Sequence, residues 1–214
     1  MEYINKYRAL LLAENENQNL VSRRSLEEEF DKHVQDSLEV LNYANVENLT
    51  VVDMGSGAGF PGLVLAMHCP DAQFVLVESD RKKSAFLEYA ARQLDLPNVT
   101  VHNRRLEEVG QDKTFRERFD IVTARALASL NVLLEYGIPL LKTGGTGWFW
   151  KGIRAEEEVT QAATALQLLQ ARVENIYWYR LIEERDRALV KVIKEAPTPE
   201  KYPRRVGIPS KRPL

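Results

Sequence analysis

The sequence predicts a three-layer α/β sandwich. A mostly parallel seven-stranded sheet with one antiparallel strand lies between helices, and a helical N-terminal extension precedes it. Three observations carry this expectation. From residue 49 onward short apolar strands alternate with helical patterns, a spacing that implies parallel strands joined by right-handed crossovers. A glycine-rich turn, Gly55-Ser-Gly57-Ala-Gly59, follows the first strand. Two β-rich stretches near the end, separated by a short polar segment, suit a closing hairpin and the antiparallel strand.

The extension reads as two helices. Tyr3, Ile4, Tyr7, Leu10 and Leu11 recur at helical spacing until the polar run of residues 14–19 breaks the pattern. A second helix starts at Ser25, whose hydroxyl can cap while Glu28 reaches back as a capping box. Its apolar face is Leu26, Phe30, Val34, Leu38 and Leu41. Five strands follow: Thr50–Met54, Phe74–Glu78, Val99–Asn103, Phe119–Ala124 and Thr146–Lys151. Helical patterns at Gly62–His68, Arg81–Leu94 and Ser129–Leu141 lie between them. A charged helix, Glu156–Gln170, leads to strands Arg172–Leu181 and Ala188–Glu195, with the polar segment Ile182–Arg187 between. Pro197, Pro199, Pro203, Pro209 and Pro213 then require an extended, loop-like end. The chain therefore divides into a helical extension packed on the core (1–47), the core (48–196) and a basic, proline-rich tail (197–214), all in one compact domain.

Composition narrows the class. A chain of 214 residues buries roughly 70–75% of its unfolded surface and needs no staple. The single cysteine, Cys69, excludes an internal disulfide and reads as a small packed hydrophobe, and with three scattered histidines it speaks against a metal site. No apolar run approaches the ~20 residues of a membrane span, and the N-terminus lacks the pattern of a secretory signal. The expectation is a cytoplasmic monomer with neither membrane nor metal. Charge is uneven: residues 1–200 carry 24 basic and 31 acidic side chains, whereas residues 201–214 carry five basic residues and no acid. A basic tail on an acidic body suggests contact with something anionic.

The strongest local signal is Asp53-Met-Gly55-Ser-Gly57-Ala-Gly59-Phe60-Pro61-Gly62. Glycines in a strand-to-helix turn allow positive φ and close approach of a ligand to the backbone. Glu78, at the end of the second strand, stands where such a sheet grips ribose hydroxyls. A dinucleotide fingerprint counted from Gly55 meets Phe60 at its third glycine, yet counted from Gly57 it is complete at Gly62, so the glycines alone leave NAD open. Asp53 tips the balance. The resulting D-x-G-x-G-x-G resembles the S-adenosylmethionine (AdoMet) loop of Rossmann-like methyltransferases. There an acid can accept from the ligand's ammonium directly or through water.

The acceptor is read after the fourth strand, at Asp120-Ile-Val-Thr-Ala-Arg125-Ala126. The acid followed by two prolines that orients an exocyclic amine is missing. No thiolate is placed for carbon-5 chemistry, and Lys151 alone is too little to activate a ribose hydroxyl. An acceptor with a free lone pair, such as guanine N7, needs only orientation. Arg125 can donate to the edge of a guanine or to a nearby phosphate, or it can pair with a carboxylate at the sheet edge.

These motifs, with Glu78-Ser-Asp-Arg-Lys82-Lys83-Ser-Ala-Phe86-Leu87, Arg105-Leu-Glu107, Lys151-Gly152 and the tail from Tyr202, resemble the bacterial small-subunit (16S) rRNA guanine-N7 methyltransferases. That is the RsmG, or glucose-inhibited division protein B, family. Asn19-Leu and His33-Val-Gln-Asp36-Ser37-Leu38 also fit its pattern, so the likeness covers nearly the whole chain. The resemblance implies an AdoMet-dependent rRNA methyltransferase releasing S-adenosylhomocysteine, with one guanine of the decoding region as acceptor. It implies that Gly55 and Phe60 line the AdoMet site beside Asp53, Gly57, Gly59 and Glu78. Leu106 and Glu107 meet the adenine, and Arg125 lies by the transferred methyl as the catalytic residue.

For an RNA substrate the phosphate contacts fall to the tail's Lys201, Arg204, Arg205, Lys211 and Arg212, joined near the cleft mouth by Lys151 with Arg23, Arg24 and Arg154. About five such contacts give a log–log salt slope of roughly −3 to −4. Tyr202 either stacks on a base or packs on the sheet. His33 and Asp36, three apart on one helix face, either anchor the extension or contact RNA. Two rival functions share these features: an NAD-dependent oxidoreductase, and a non-catalytic AdoMet- and RNA-binding module.

Overall fold

The computed structural model describes residues 2–17, 23–181 and 186–214, with side chains in the second helix from residue 29 onward. Seven strands form one sheet in the order β3-β2-β1-β4-β5-β7-β6. They are β1 (Thr50–Met54), β2 (Gln73–Val77), β3 (Val99–His102), β4 (Phe119–Arg125), β5 (Leu141–Lys151), β6 (Ala171–Arg180) and β7 (Asp186–Lys194). The first five are parallel, and β7 runs antiparallel to both neighbours, β5 and β6. Among the described residues β7 is thus the one reversed strand, as the closing hairpin required. The strand order reverses between β1 and β4, and ligands of open α/β sheets bind outside the carboxyl ends there.

The sheet separates two cores. One holds α1 (Glu2–Asn17), α2 (Arg23–Leu38), α3 (Gly62–His68) and α4 (Arg81–Gln93), where Tyr7, Leu11, Phe30 and Trp148 are almost wholly enclosed. The other holds α5 (Leu106–Gln111), α6 (Leu130–Gly137), α7 (Ala155–Gln161) and α8 (Ala163–Leu169) around Leu133, Phe149 and Val190. Trp148 and Trp150 alternate on β5 and enter the same core, as expected from the two-residue period of a strand.

Several boundaries differ from the reading of the sequence. α1 runs on to Asn17 because Asn15 turns inward and is buried, so the polar run does not break the helix. α2 begins by Arg23, and the proposed Ser25–Glu28 cap, Leu26, and the side chains of Arg23 and Arg24 lie outside the described residues, as do Asn19 and residues 182–185. α6 tightens at Gly137 into a 3-10 turn over Ile138–Leu140, where Pro139 withdraws a donor. The charged helix is two, α7 and α8, meeting at Ala162, and no glycine or proline explains the break. β5 starts five residues earlier than expected, with a register shift against β4 between Phe119 and Ile121. α5 was not anticipated.

The tail departs most. It contains a short helix, α9 (Ile208–Lys211), and closes against α5 and α6 instead of running free. Arg116 donates to the carbonyls of Tyr202 and Thr198, each at 2.7 Å, and Gln111 donates to that of Pro203 at 2.6 Å. Tyr202 is buried and packs into the core. Prolines bar a long helix, but each X-Pro segment presents fixed carbonyls, and neighbouring side chains satisfy them. Among the described residues no helix is long and apolar enough to cross a membrane, and no cluster of three or more His, Cys, Asp or Glu stands ready for a metal.

Candidate active site

The glycine loop leaves β1 at the point where the sheet order reverses. Gly55, Gly57 and Gly59 adopt φ of +64°, +57° and +103°, a region costly to any residue with a Cβ. Gly59 and Gly62 are required by packing as well. A Cβ at Gly62 would lie 2.4 Å from Leu76 and 2.7 Å from Asp53. Gly57 differs: a Cβ there would meet nothing closer than a backbone oxygen at 3.8 Å, so this peptide borders open space. A cradle of bare backbone is what a nucleoside ligand needs for close approach.

Two carboxylates fix the loop. Asp53, fully buried, accepts from the Thr123 hydroxyl at 2.7 Å and from the Gly62 N–H at 3.3 Å. Burial lifts its pKa to about 6 against the pull of those hydrogen bonds and of Arg125. Asp53 is wholly enclosed and serves as the strut between β1, β4 and the loop, so of the two routes to a ligand ammonium that the sequence allowed, direct and through water, the direct one finds no exposed carboxylate. The register pairs Asp53 with Thr123 across the ladder, which is how a strand threonine comes to hold it.

Glu78 directly follows β2, mostly buried, with its two oxygens on the N–H groups of Gly57 at 2.9 Å and Asp80 at 2.8 Å. Asn103, on the next strand's end, donates to the Glu78 carbonyl at 2.9 Å. The second acid therefore does reach the loop from the neighbouring strand.

Phe60 is packed among Tyr7, Phe30 and His33, with the Arg125 guanidinium 5.0 Å above its ring. Its ring belongs to the core, so any ligand contact at this position falls to its backbone. Leu106 is buried in the far core, and the carboxylate of Glu107 accepts from the Gly207 N–H at 2.8 Å. The Glu107 side chain holds the tail, which leaves only backbone of this pair for an adenine.

Arg125, at the end of β4, is paired as one reading of the sequence allowed. It donates to Asp36 at 2.8 Å and to the His33 carbonyl at 3.3 Å. Asp36, 1% exposed, also accepts from Tyr179 at 2.6 Å and lies 3.5 Å from Arg187, while its carbonyl accepts from Trp150 Nε1 at 2.7 Å. Helix α2 is thus pinned to β4, β6 and β7 through the Asp36 carboxylate and to β5 through the Asp36 carbonyl. Sequence inspection singled out Asp36 but missed Trp150, Tyr179 and Arg187 as its partners. Their polar tips on apolar strands were the signal.

The turn after β4 is strained and leans on the loop. Ala126 has φ +54°, and Leu127, partly exposed, covers Gly55. Beyond Arg125 opens a cavity of about 610 Å³, bordered by Trp150, Lys151, Ile153, Glu158 and Arg187.

The expected phosphate contacts separate. Lys151 is 6% exposed, donating to Glu158 and the Ala128 carbonyl, and Arg204 is held by the fully buried Glu135. Each is committed to a carboxylate of the protein, with Lys151 mostly enclosed and Arg204 about a quarter exposed, so neither is the free cation the sequence suggested. Arg205, Lys211 and Arg212 remain exposed.

His33 tests the electrostatics. Burial, and next the Arg125 charge, lower its pKa from 6.5 to about 4. The unfolded chain therefore takes up this proton first, and the stability His33 contributes above about pH 6.5 is lost as pH falls toward 4. Asp53 acts oppositely: its raised pKa makes the fold most favoured below 3.8, declining up to about 6. In His33→Gln only the second effect persists. Between pH 7 and pH 4.5 the urea midpoint of the variant is expected to shift upward relative to that of the parent, and an identical pH dependence in the two would contradict this.

Comparison with known proteins follows the same lines. Residues 1–188 match the family model described as GidB, rRNA small subunit methyltransferase G. A ribosomal RNA small subunit methyltransferase G of Syntrophomonas wolfei is 51% identical, covering 100% of both chains. Its counterpart in Carboxydothermus hydrogenoformans is 43% identical, over 100% of this chain and 92% of the relative. Among solved structures, a SAM-dependent methyltransferase from Aquifex aeolicus superposes with TM-score 0.57 at 18% identity, covering 74% of this chain and 89% of that one. M. jannaschii TYW2 in complex with AdoMet gives 0.59 at 14%, over 76% of each. These two share the Rossmann-like fold. The glycine loop strung between Asp53 and Glu78, and the full-length likeness to the named relatives, lead to one assignment: the chain belongs to the rRNA small subunit methyltransferase G family.

Proposed function

We propose that this protein is an AdoMet-dependent methyltransferase that modifies N7 of a guanine in 16S rRNA, acting in the cytoplasm as a single chain. The observation that carries it is the open Gly57 peptide, gripped by Glu78 from the next strand, in a loop whose Phe60 ring lies under Arg125. The residues present fit the cofactor: bare backbone for its amino-acid end, a carboxylate at the strand end for ribose hydroxyls, and the backbone of Leu106 and Glu107 for adenine. AdoMet supplies a sulfonium methyl; a new N–C bond forms as the S–C bond breaks, and the bonding pair stays on sulfur in S-adenosylhomocysteine. N7 offers a lone pair without losing a proton. The site agrees, for its imidazole, His33, is a poor base held to a pKa of about 4. Arg125, fixed by Asp36, orients the acceptor; the protein's task is alignment.

The direct test incubates the protein with radiolabelled AdoMet and small subunits from cells lacking the enzyme. Label is expected in one guanine that becomes cleavable by borohydride and aniline. Label elsewhere, or none, overturns the reading. Calorimetry should show binding of AdoMet and none of NAD. Gly57→Leu fills the open face and is expected to raise the AdoMet dissociation constant more than tenfold. The left-handed φ adds a stability cost of about 1–2 kcal/mol. An unchanged dissociation constant would remove the loop from the site.

For the RNA contact, Arg205, Lys211 and Arg212 support a reading with about three phosphates and a salt slope of roughly −2 to −3, shallower than five contacts would give. Neutralising the three should flatten the slope without changing AdoMet affinity.

A further inference from the structure

The cavity beyond Arg125 carries features that methyl transfer alone does not demand. Glu158, on α7, projects to its wall with its side chain 24% exposed. Oε2 accepts from the Lys151 ammonium and from the Leu130 N–H, both at 2.8 Å, whereas Oε1 takes no hydrogen bond from any described residue. A carboxylate is thus held by two donors on one oxygen while the other oxygen stays available. At the mouth Gly152 lies outside the left-handed region, and a Cβ there would meet nothing within 4 Å, so the fold itself makes no demand for glycine. Ile153 beside it is 74% exposed, an aliphatic side chain left at the rim of the cavity.

Resting on the guanine-N7 reading above, we propose that this cavity receives the extruded guanine and that Glu158 is a specificity-determining residue for its Watson–Crick edge. Guanine carries acceptors O6 and N7 on one edge and the donors N1–H and N2–H on another. With N7 turned to the glycine loop, O6 falls on the Arg125 side and the two donors point across the cavity to the carboxylate. Arg125 touches both regions, its guanidinium over Phe60 of the loop and on the cavity wall. Gly152 and Ile153 give the ring a bare backbone and an apolar face. Adenine in the same pose would set its amino group against Arg125 and its N1 lone pair against Glu158, two mismatches of like with like.

Small subunits reconstituted on ligated RNA with guanosine or inosine at the methylated position test this. Inosine keeps N7, O6 and N1–H but lacks the N2 amine. The parent protein is expected to prefer guanosine roughly 10–100-fold in kcat/KM. Glu158→Ala is expected to lower the guanosine rate more than the inosine rate, because guanosine loses two contacts and inosine only that of N1–H, so the preference shrinks while AdoMet affinity stays near that of the parent. Loss of the Leu130 and Lys151 contacts alone would slow both substrates equally. An equal loss, or a parent without preference for guanosine, overturns the role of Glu158. Failure of the parent to make any borohydride-sensitive guanine overturns the underlying reading instead.

Discussion

Replacing Arg204 with methionine is expected to lower the melting temperature by about 6–12 °C. Glu135 is fully buried on α6, and its carboxylate accepts from Arg204 three times: from the backbone N–H at 2.8 Å, Nε at 2.8 Å and Nη2 at 2.6 Å. Removing the guanidinium leaves a buried charge with one backbone donor. Breaking a buried pair from one side costs about 3–5 kcal/mol, and the surviving N–H argues for the lower end, about 3. For a chain of this length each kcal/mol moves the midpoint by about 2–4 °C. Replacing both partners, Glu135→Gln with Arg204→Met, should recover part of the loss, because the isolated charge is then gone. Calorimetric melting curves decide it, and a shift below about 2 °C would show that Glu135 is satisfied without Arg204. The same contact changes the meaning of truncation: deleting residues 201–214 should cost folding as well as any RNA contact.

Arg125→Ala is expected to reduce kcat/KM for the small subunit by about 100- to 1,000-fold. The side chain is 12% exposed, held by Asp36 and stacked on Phe60, so its position is already set before the acceptor arrives. AdoMet affinity should fall by much less than the rate, since the loop is braced by Asp53 and Glu78 independently. Arg125→Lys keeps the charge but lacks the planar guanidinium that lies over Phe60 while one of its nitrogens meets Asp36 and the His33 carbonyl, leaving the rest for the acceptor, so little rate should return. Single-turnover rates and calorimetric dissociation constants separate the two effects. A rate within threefold of the parent would reduce Arg125 to a clamp for α2.

The resemblance and the residues agreed best where function depends on backbone. The loop Asp53–Gly62 was legible because glycine spacing reports φ, and φ is a local property. Glu78 was legible because strand ends recur at fixed places in such sheets. Side-chain roles were harder. Asp53 looked like a ligand group and proved to be a strut, since only the packing of Thr123 and Gly62 around it shows that no solvent reaches it. Glu107 proved to hold the tail. Lys151 and Arg204 looked like free cations, and their carboxylates, Glu158 and Glu135, lie on other elements.

Local chemistry in the chain settled the alternation of strands and helices, the glycine cradle, the reversed strand and the family. It also marked Arg125 and Asp36 as worth watching. Which charges face water, which face each other and what the tail does were decided only by the folded arrangement. Ion pairs such as Asp36–Arg125 at 89 residues' separation and Glu135–Arg204 at 69 carry no periodic trace in sequence. Burial then turns each from a negligible surface interaction into a constraint, because a charge removed from water must find its partner within the protein.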